Sequence, residues 1–293
     1  MRPTSVKLHV VDGTFELFRC WFGSPRRQTS DGREVGAVHG LMRTLYRLLQ
    51  ASDTTHIGVA YDRVIESFRN DLFPGYKTGA GIDPLLLAQF PLAEQATRAL
   101  GVTVWPMVRY EADDALATAA HRWADHVQQV QICSPDKDLA QCVRGDTVVL
   151  RDRIRGRVLD EAGVIDKFGV RPTQIPDYLA LVGDTADGIP GIPRWGAKSS
   201  SALLAEYGSI EAIPTDPNQW TAKVRGARSL ADTLNPARGD ALLYRTLATL
   251  RTDVPIPQGL DELRWADVDR PRLTEFCERV EDHRFAARVL GTA

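Results

Sequence analysis

The stretch Val6-Lys7-Leu8-His9-Val10-Val11-Asp12-Gly13 sets the frame for the whole chain. An apolar run rich in β-branched residues ends abruptly in an acid and a glycine, the pattern of a buried strand that stops at a turn. Residues 57–61 repeat it before Asp62. Between the two, residues 38–49 carry apolar side chains at helical spacing, which predicts a strand, a helix and a second strand joined by a right-handed crossover. Residues 102–105, 130–133 and 147–150 supply further strands, and the alanine-rich residues 111–124 another helix. The expected fold class is α/β, a central mostly parallel sheet flanked by helices. In such a sheet the carboxyl ends of the strands open on one edge, where ligands bind.

Acids gather just past these apolar runs: Asp12, Asp62, Asp136 and Asp138, with the cluster Glu111, Asp113, Asp114 and the later pair Asp184, Asp187. If they converge on one edge, repulsion is the first problem. Two carboxylates ~6 Å apart at an effective dielectric of ~20 repel by about 3 kcal/mol. Cations must offset that. Magnesium or manganese are hard ions that take carboxylate and water oxygens, and paired ions serve phosphoryl and phosphodiester chemistry. Nine carboxylates exceed what two ions require and leave room for a third.

The chain has 293 residues, long enough for a sizeable core, and average hydrophobic and charged fractions. Its formal net charge is −2. Once the acids are set aside as metal-filled, the rest of the surface is distinctly basic, as a phosphate-backbone partner favours. Cys20, Cys133, Cys142 and Cys277 are scattered without a CxxC pair, so neither a disulfide framework nor a zinc site is expected, and a reducing cytoplasm is the default. No apolar run reaches membrane-spanning length and no signal-type block opens the chain. His9, His39, His56, His121, His126 and His283 form no HExxH spacing, and GxGxxG and Walker patterns are missing, which removes dehydrogenase and NTPase readings.

Acids in the first turn of a helix are favoured by its dipole and free amides, so Tyr110-Glu111-Ala112-Asp113-Asp114-Ala115 has a purely structural explanation. In a helix Glu111 and Asp114 share a face while Asp113 points roughly 100° away, so the turn can address two ions. Ser134-Pro135-Asp136-Lys137-Asp138 also reads as an ordinary turn with Asp136 capping the next helix. Jointly the acids favour the metal reading. Residues 151–157 hold four arginines around Gly156, a hairpin whose charge keeps the edge soluble. From residue 166 onward the texture changes to short helices with proline and glycine, which divides the chain into residues 1–165, the α/β part, and 166–293, a helical region. Within the latter, Asp184 and Asp187 read as one helical turn apart. Two glycines and two prolines then build a tight hairpin into a helix at residues 199–207, within a hairpin region spanning 183–207. The amides of that helix and Lys198 suit a phosphate, a grip that needs no base contact.

At these residues the chain resembles the 5′ nucleases of the flap endonuclease type, specifically the N-terminal 5′-3′ exonuclease domain of bacterial family-A DNA polymerases. The pieces that carry the resemblance are Val10-Val11-Asp12-Gly13, Ala60-Tyr61-Asp62, Ser67-Phe68-Arg69 with Gly75-Tyr76-Lys77, Tyr110 to Asp114, Pro135-Asp136-Lys137-Asp138-Leu139, and Gly183-Asp184 through Lys198. Together they span nearly the whole chain in the family's order. The resemblance implies that residues 1–165 are a metal-dependent nuclease core of the PIN-like kind with a helical arch around residues 70–95, and that residues 166–293 are a helical DNA-binding region with a helix-hairpin-helix motif. It implies that Asp12, Asp62, Glu111 and Asp113 serve the catalytic metal, that Asp136, Asp138, Asp184 and Asp187 serve a second, and that Asp114 lies in the outer shell. Lys77 matches the family's active-site lysine and Arg69 its companion. Gly191, Arg194, Gly196 and Lys198 match the element that grips duplex DNA, with a potassium ion (K+) held by backbone carbonyls there.

By the same resemblance the activity is structure-specific 5′ nuclease action, exonuclease and flap endonuclease, in primer removal and repair. The substrates would be DNA with a 5′ flap, nick or 5′ end, RNA-containing flaps included, and the cofactors Mg2+ or Mn2+. Work alongside a DNA polymerase and a ligase, a monomeric state and a bacterial, nucleoid-associated cytoplasmic location follow. The chain departs from the pattern in places. Phe18 stands where relatives carry a tyrosine, keeping base stacking and losing the hydroxyl. Ala186 and Gly188 stand where serine and asparagine are usual, and residues 78–88 are nearly devoid of lysine and arginine. The chain ends at Ala293, where polymerase-fused relatives continue, so a stand-alone nuclease is expected. Two alternatives stay open: a PIN-like ribonuclease, which has no need of the hairpin at residues 190–196, and a non-catalytic DNA-structure-binding protein, which no missing acid favours.

Overall fold

The computed structural model describes residues 6–291. In chain order the regular elements begin β1 (Lys7–Asp12), α1 (Gly13–Gly23), α2 (Gly36–Leu49), β2 (His56–Asp62), α3 (Phe68–Leu72), α4 (Pro84–Leu87), α5 (Phe90–Ala99), β3 (Thr103–Met107), α6 (Ala112–Trp123) and β4 (Gln129–Cys133). They continue with β5 (Val148–Asp152), β6 (Arg157–Leu159), α7 (Glu161–Phe168), α8 (Ile175–Val182), α9 (Ala197–Tyr207), α10 (Ala227–Leu234), α11 (Arg238–Ala248), α12 (Arg270–Arg279) and α13 (His283–Leu290). The chain forms two compact units, each drawn from separate stretches. Unit 1 takes the residues up to Ile65, then Gly79–Ser134 and Thr252–Ala293, and unit 2 takes Glu66–Thr78 and Pro135–Arg251.

In unit 1 the strands run in the order β3-β2-β1-β4 and every pairing is parallel. Buried on both faces, these strands lack the polar alternation of a half-exposed sheet. Register aligns Asp12 with Ala60, and Asp62 with Met107, so the acid ends of β1 and β2 lie at one edge. Helix α2 shows why its residues are helical: Val38, Leu41, Met42, Leu45, Leu48 and Leu49 recur at three- and four-residue intervals, and all are buried. Small residues do the same work differently in α6, where Ala112, Ala115, Ala117, Ala119 and Ala120 are buried. Leu273, Phe276, Cys277, Val280 and Phe285 of the C-terminal helices belong to the same core cluster as Val11, Leu41 and Val59. Burying one such large side chain is worth about 1.5–3 kcal/mol.

In unit 2, β5 and β6 pair antiparallel as the hairpin expected around Gly156. Helices α8 and α11 pack together, α8 burying Ile175, Tyr178, Leu179 and Leu181 and α11 burying Leu247 and Ala248. Asp177 on α8 meets Arg245 on α11 at 3.2 Å, and Arg245 reaches Glu211 at 2.6 Å. The element expected at residues 199–207 is the helix α9, which starts two residues earlier. Of the segment at 78–88, only Pro84–Leu87 is helical, and Leu85 and Leu87 are exposed.

Candidate active site

In unit 1 the acids sit at the carboxyl edge of the sheet, and backbone amides aim them. Asp12 is both the last residue of β1 and the N-cap of α1. Its Oδ1 accepts the Phe15 N–H at 2.8 Å, and its Oδ2 accepts from the Ser134 hydroxyl at 3.0 Å. Asp62 closes β2, and its Oδ1 accepts the Ala112 N–H at 2.7 Å, so the first turn of α6 is tied to the strand end. The Asp62 N–H in turn donates to Thr14 Oγ1 at 2.8 Å. Glu111 is the N-cap of α6, and the fully buried Asp114 accepts the Glu111 N–H at 3.0 Å, which is the capping geometry that a first-turn acid permits. Asp113 is half-buried beside them. Phe18 is half-buried too, its ring edge-on to Phe90 with centroids 5.9 Å apart.

In unit 2, Asp138, Asp184 and Asp187 bring carboxylate oxygens within 4.8 Å of one another. Asp138 and Asp184 are each 4% exposed, and Asp138 Oδ1 is buried with no hydrogen-bond partner among the described residues. Burial, then the charges of Asp136, Asp187 and Asp184, push the Asp138 carboxyl well above the usual carboxylate range. An orphaned buried oxygen in a group of hard oxygen donors fits a divalent ion of the magnesium type. Asp136 is exposed and lies outside this group, its Oδ1 accepting the Asp138 N–H at 2.9 Å.

Asp184 and Asp187 are not a helical turn apart, contrary to the spacing argument. Gly183, at φ 87°, ends α8, and residues 184–189 form a tight turn closed by two backbone hydrogen bonds between Asp184 and Ile189, at 2.8 and 2.7 Å. Gly188, at φ 74°, allows that turn to press on the chain at Gly75, whose carbonyl a Cβ at 188 would strike. Any side chain at 188 would have to move that backbone, so this packing calls for glycine. The same contact brings Lys77 in: its N–H donates to the Asp187 carbonyl at 3.0 Å, and its Nζ is 2.8 Å from Asp187 Oδ1.

A second lysine was not singled out from the sequence. Lys137 Nζ lies 2.8 Å from Asp184 Oδ2. Burial works against its ammonium, but the hydrogen bond and charge of Asp184, with Asp138 and Asp136, outweigh it and raise its pKa. Its position between two acids in Asp136-Lys137-Asp138 was the available signal. Ser134 and Thr14, which hold the ends of β1 and β2, carried no such signal, being single hydroxyls, one just past β4 and the other in the first turn of α1. Arg69 is 1% exposed, and its guanidinium donates to the carbonyls of Leu247 at 2.7 Å and Thr249 at 3.1 Å, at the C-terminal end of α11.

The hairpin after the turn is anchored by a buried Trp195, whose indole N–H donates to the Leu230 carbonyl at 3.1 Å. Ile192 N–H bonds to the Leu181 carbonyl at 2.8 Å, joining the hairpin to α8. Arg194 adopts a left-handed φ of 74°, while Gly196 and Lys198 are exposed at the start of α9 and Gly191 is buried.

Comparison with known proteins bears on this arrangement. A family model, 5′-3′ exonuclease, N-terminal resolvase-like domain, matches residues 7–169, and a second, 5′-3′ exonuclease, C-terminal SAM fold, matches residues 170–271. The 5′-3′ exonuclease of Aquifex aeolicus is 31% identical over 94% of this chain and 91% of its own length. DNA polymerase I of Rhizobium leguminosarum is 34% identical over 96% of this chain, which spans 28% of that protein. DNA polymerase I of Bacillus caldotenax is 32% identical, and the chain spans 32% of it. Among solved structures, the T5 D15 protein co-crystallised with metal ions superposes with a TM-score of 0.70 at 19% identity, over 94% of this chain and 99% of that one. The catalytic core of Rad2 in complex with DNA substrate gives 0.63 at 13% identity, over 97% and 91%. These last two share the fold. By the family models and the Aquifex relative, the chain belongs to the 5′-3′ exonuclease family.

Proposed function

We propose that the chain is a structure-specific 5′ nuclease that cuts phosphodiester bonds in DNA, as exonuclease and flap endonuclease, with two divalent ions. The observation that carries this is the buried group Asp138, Asp184 and Asp187, with its orphaned Asp138 oxygen and two lysines opposite two of its acids. The lysines offset Asp187 and Asp184, but the buried Asp138 oxygen has no hydrogen-bond partner among the described residues, and a desolvated charge among like charges opposes folding unless a further cation meets it. Asp138, Asp184 and Asp187, with Asp136 alongside, would hold one ion, and Asp12, Asp62, Glu111 and Asp113 the other, with Asp114 behind them. When bound, the ions supply a water of lowered pKa and charge at the leaving oxygen.

The chain's own groups do the rest. The Phe15 and Ala112 amides and the Ser134 hydroxyl hold Asp12 and Asp62 in place and aim them. Lys77 releases Asp187 to a metal and turns its ammonium to the charge that builds on the phosphate. Arg69, tied to the end of α11, positions the segment that carries Lys77. Lys198, Arg194 and the Gly191–Gly196 hairpin take the duplex backbone and a potassium ion, and Phe18 stacks on a base. Residues 1–165 are the nuclease core and 166–293 the helical DNA-binding region. DNA polymerase and ligase as functional partners, a monomeric state, and service in primer removal and repair in the cytoplasm complete the reading. Among the described residues no helix is long and apolar enough to cross a membrane.

The T5 D15 protein binds metal ions and Rad2 binds DNA substrate, which supports the choice of cofactor and substrate class. The test is cleavage of 5′-labelled and 3′-labelled flap, nicked and single-stranded substrates, in DNA and RNA, with magnesium or manganese. Release of short 5′ products from DNA flaps is expected. Cutting confined to RNA would make it a PIN-like ribonuclease, and binding without cutting a structure-binding protein.

A further inference from the structure

Unit 1 contains a cavity of about 380 Å³ that none of the acids touches, lined by Ser24, Pro25, Gly36 and Gly40, by Phe285, and by a set of basic side chains. It lies where the chain leaves α1, beside the first turns of α2 and along α13. Its volume is within the usual range of small-ligand sites. The basic set is Arg27, Arg43, Arg284 and Arg288, with His39.

Several exposed arginines among the described residues are ion-paired, such as Arg33 with Asp31 and Arg155 with Asp152. Those of the cavity are not, with one exception. Arg43 donates to Asp282 Oδ1 at 2.8 Å and to the His39 carbonyl at 2.7 Å. The guanidinium groups of Arg27, Arg284 and Arg288 have no hydrogen-bond or ion-pair partner among the described residues. Two acids stand nearby and both are engaged. Asp282 is taken by Arg43, and Glu34 Oε1 accepts the Arg27 N–H at 3.1 Å and the Gly36 N–H at 3.0 Å. His39, 5% exposed, spends Nε2 on the Val280 carbonyl at 2.8 Å and has Nδ1 3.5 Å from Asp282 Oδ2. The wall is thus positive in excess, and its shape is fixed. Gly40 lets Ser24 sit directly against α2, where a Cβ would collide with its hydroxyl, and the buried Phe285 is part of the lining.

We infer that this cavity is an anion site that receives a phosphate group, either on a nucleic-acid strand or as free phosphate. Three arginines whose guanidinium groups have no partner among the described residues line one cavity, and arginine binds phosphate oxygens in bidentate fashion. Lysine-like solvation at the tips would not call for a cavity. The strand form of the ligand rests on the nuclease reading above, whereas the free form does not.

The experiment is calorimetric titration of inorganic phosphate into the full chain in EDTA, where no cleavage occurs, for wild type, R284E/R288E, R27A and the remote control R155E. Circular dichroism melting checks that each variant is folded. Saturable binding that weakens about tenfold or more in R284E/R288E and in R27A, and not in R155E, is expected from losing charge-assisted hydrogen bonds. A flap duplex titrated with phosphate present then separates the sources. Competition assigns the site to a strand phosphate, and independent binding assigns it to free phosphate. Phosphate binding that is undetectable, or equal in all four proteins, overturns the inference. A chain that fails to cleave any flap yet binds phosphate through these arginines would overturn only the nuclease reading.

Discussion

Lys77 meets Asp187 twice, through its ammonium at 2.8 Å from Oδ1 and through its main-chain N–H on the Asp187 carbonyl at 3.0 Å. The backbone bond fixes where the lysine starts, and the ion pair is the part that can be exchanged. Lys77→Ala should therefore lower single-turnover cleavage by ~10²- to 10³-fold, the scale for losing one charged transition-state donor. Manganese affinity, measured by calorimetry, should stay equal or tighten, because Asp187 no longer has an ammonium to give up. A parallel fall in manganese affinity would show Lys77 to be a brace for the turn.

Asp187→Asn and Asp138→Asn should abolish cleavage while leaving flap-DNA affinity equal or slightly higher, since each removes negative charge next to phosphate. Fluorescence anisotropy and a cleavage assay on the same samples check it. Wild-type cutting by Asp187→Asn would remove that residue from the metal ligands.

Ser134→Ala takes from Asp12 Oδ2 the hydroxyl donor that sits 3.0 Å away. Outer partners of this kind typically matter ~10- to 100-fold in metal affinity or activity. The expected signature is a higher metal concentration for half-maximal rate with substrate KM unchanged, and restoration of the wild-type value by Ser134→Thr. A variant indistinguishable from wild type across the metal titration would strip Ser134 of that role.

Arg69→Met should be felt in stability before chemistry. It leaves the Leu247 and Thr249 carbonyls without their guanidinium donor, and an abandoned buried acceptor costs about 1–3 kcal/mol. Urea unfolding should report that loss. A full-stability protein with lost turnover would instead put Arg69 on the phosphate.

Acid should weaken unit 1 through His39. Burial lowers its pKa below the ordinary 6.5, Asp282 opposing and Arg43 and Arg27 reinforcing the shift. The unfolded chain then takes the proton first, so stability is full above about 6.5 and is lost as pH falls through the lower, folded value. In EDTA, the decline in Tm from about pH 7 to about pH 5 should be shallower for His39→Gln than for wild type. Parallel curves would assign the acid sensitivity elsewhere.

Much of unit 1 is legible in sequence because its strands are continuous apolar runs. The run at residues 6–11 is β1 shifted by one residue, and residues 57–61 lie inside β2. That Asp138, Asp184 and Asp187 deserved attention is also legible, since acids after apolar runs have no packing reason to be there. How they come together is not. A three-residue spacing suggests a helical turn, and only the left-handed backbone at Gly183 and Gly188 turns it into a closed loop. The burial of Arg69 was invisible because its acceptors are main-chain carbonyls almost two hundred residues away, which have no side-chain signature. Ser134 was hidden for the opposite reason, as a common residue in a common turn, whereas Lys137 had its place between Asp136 and Asp138 as a signal.

The interleaving of the two units limits how the gene can be divided. A fragment ending near residue 165 would carry Glu66–Thr78 and the β5–β6 hairpin without α8 and α11, and would lack Leu273, Phe276 and Phe285 from the core of unit 1. The complementary fragment would carry those three side chains with no core to enter. Neither is an heir to a whole unit. Any recombination that keeps both working must exchange four crossover points at once, so this chain is inherited as one piece or not at all.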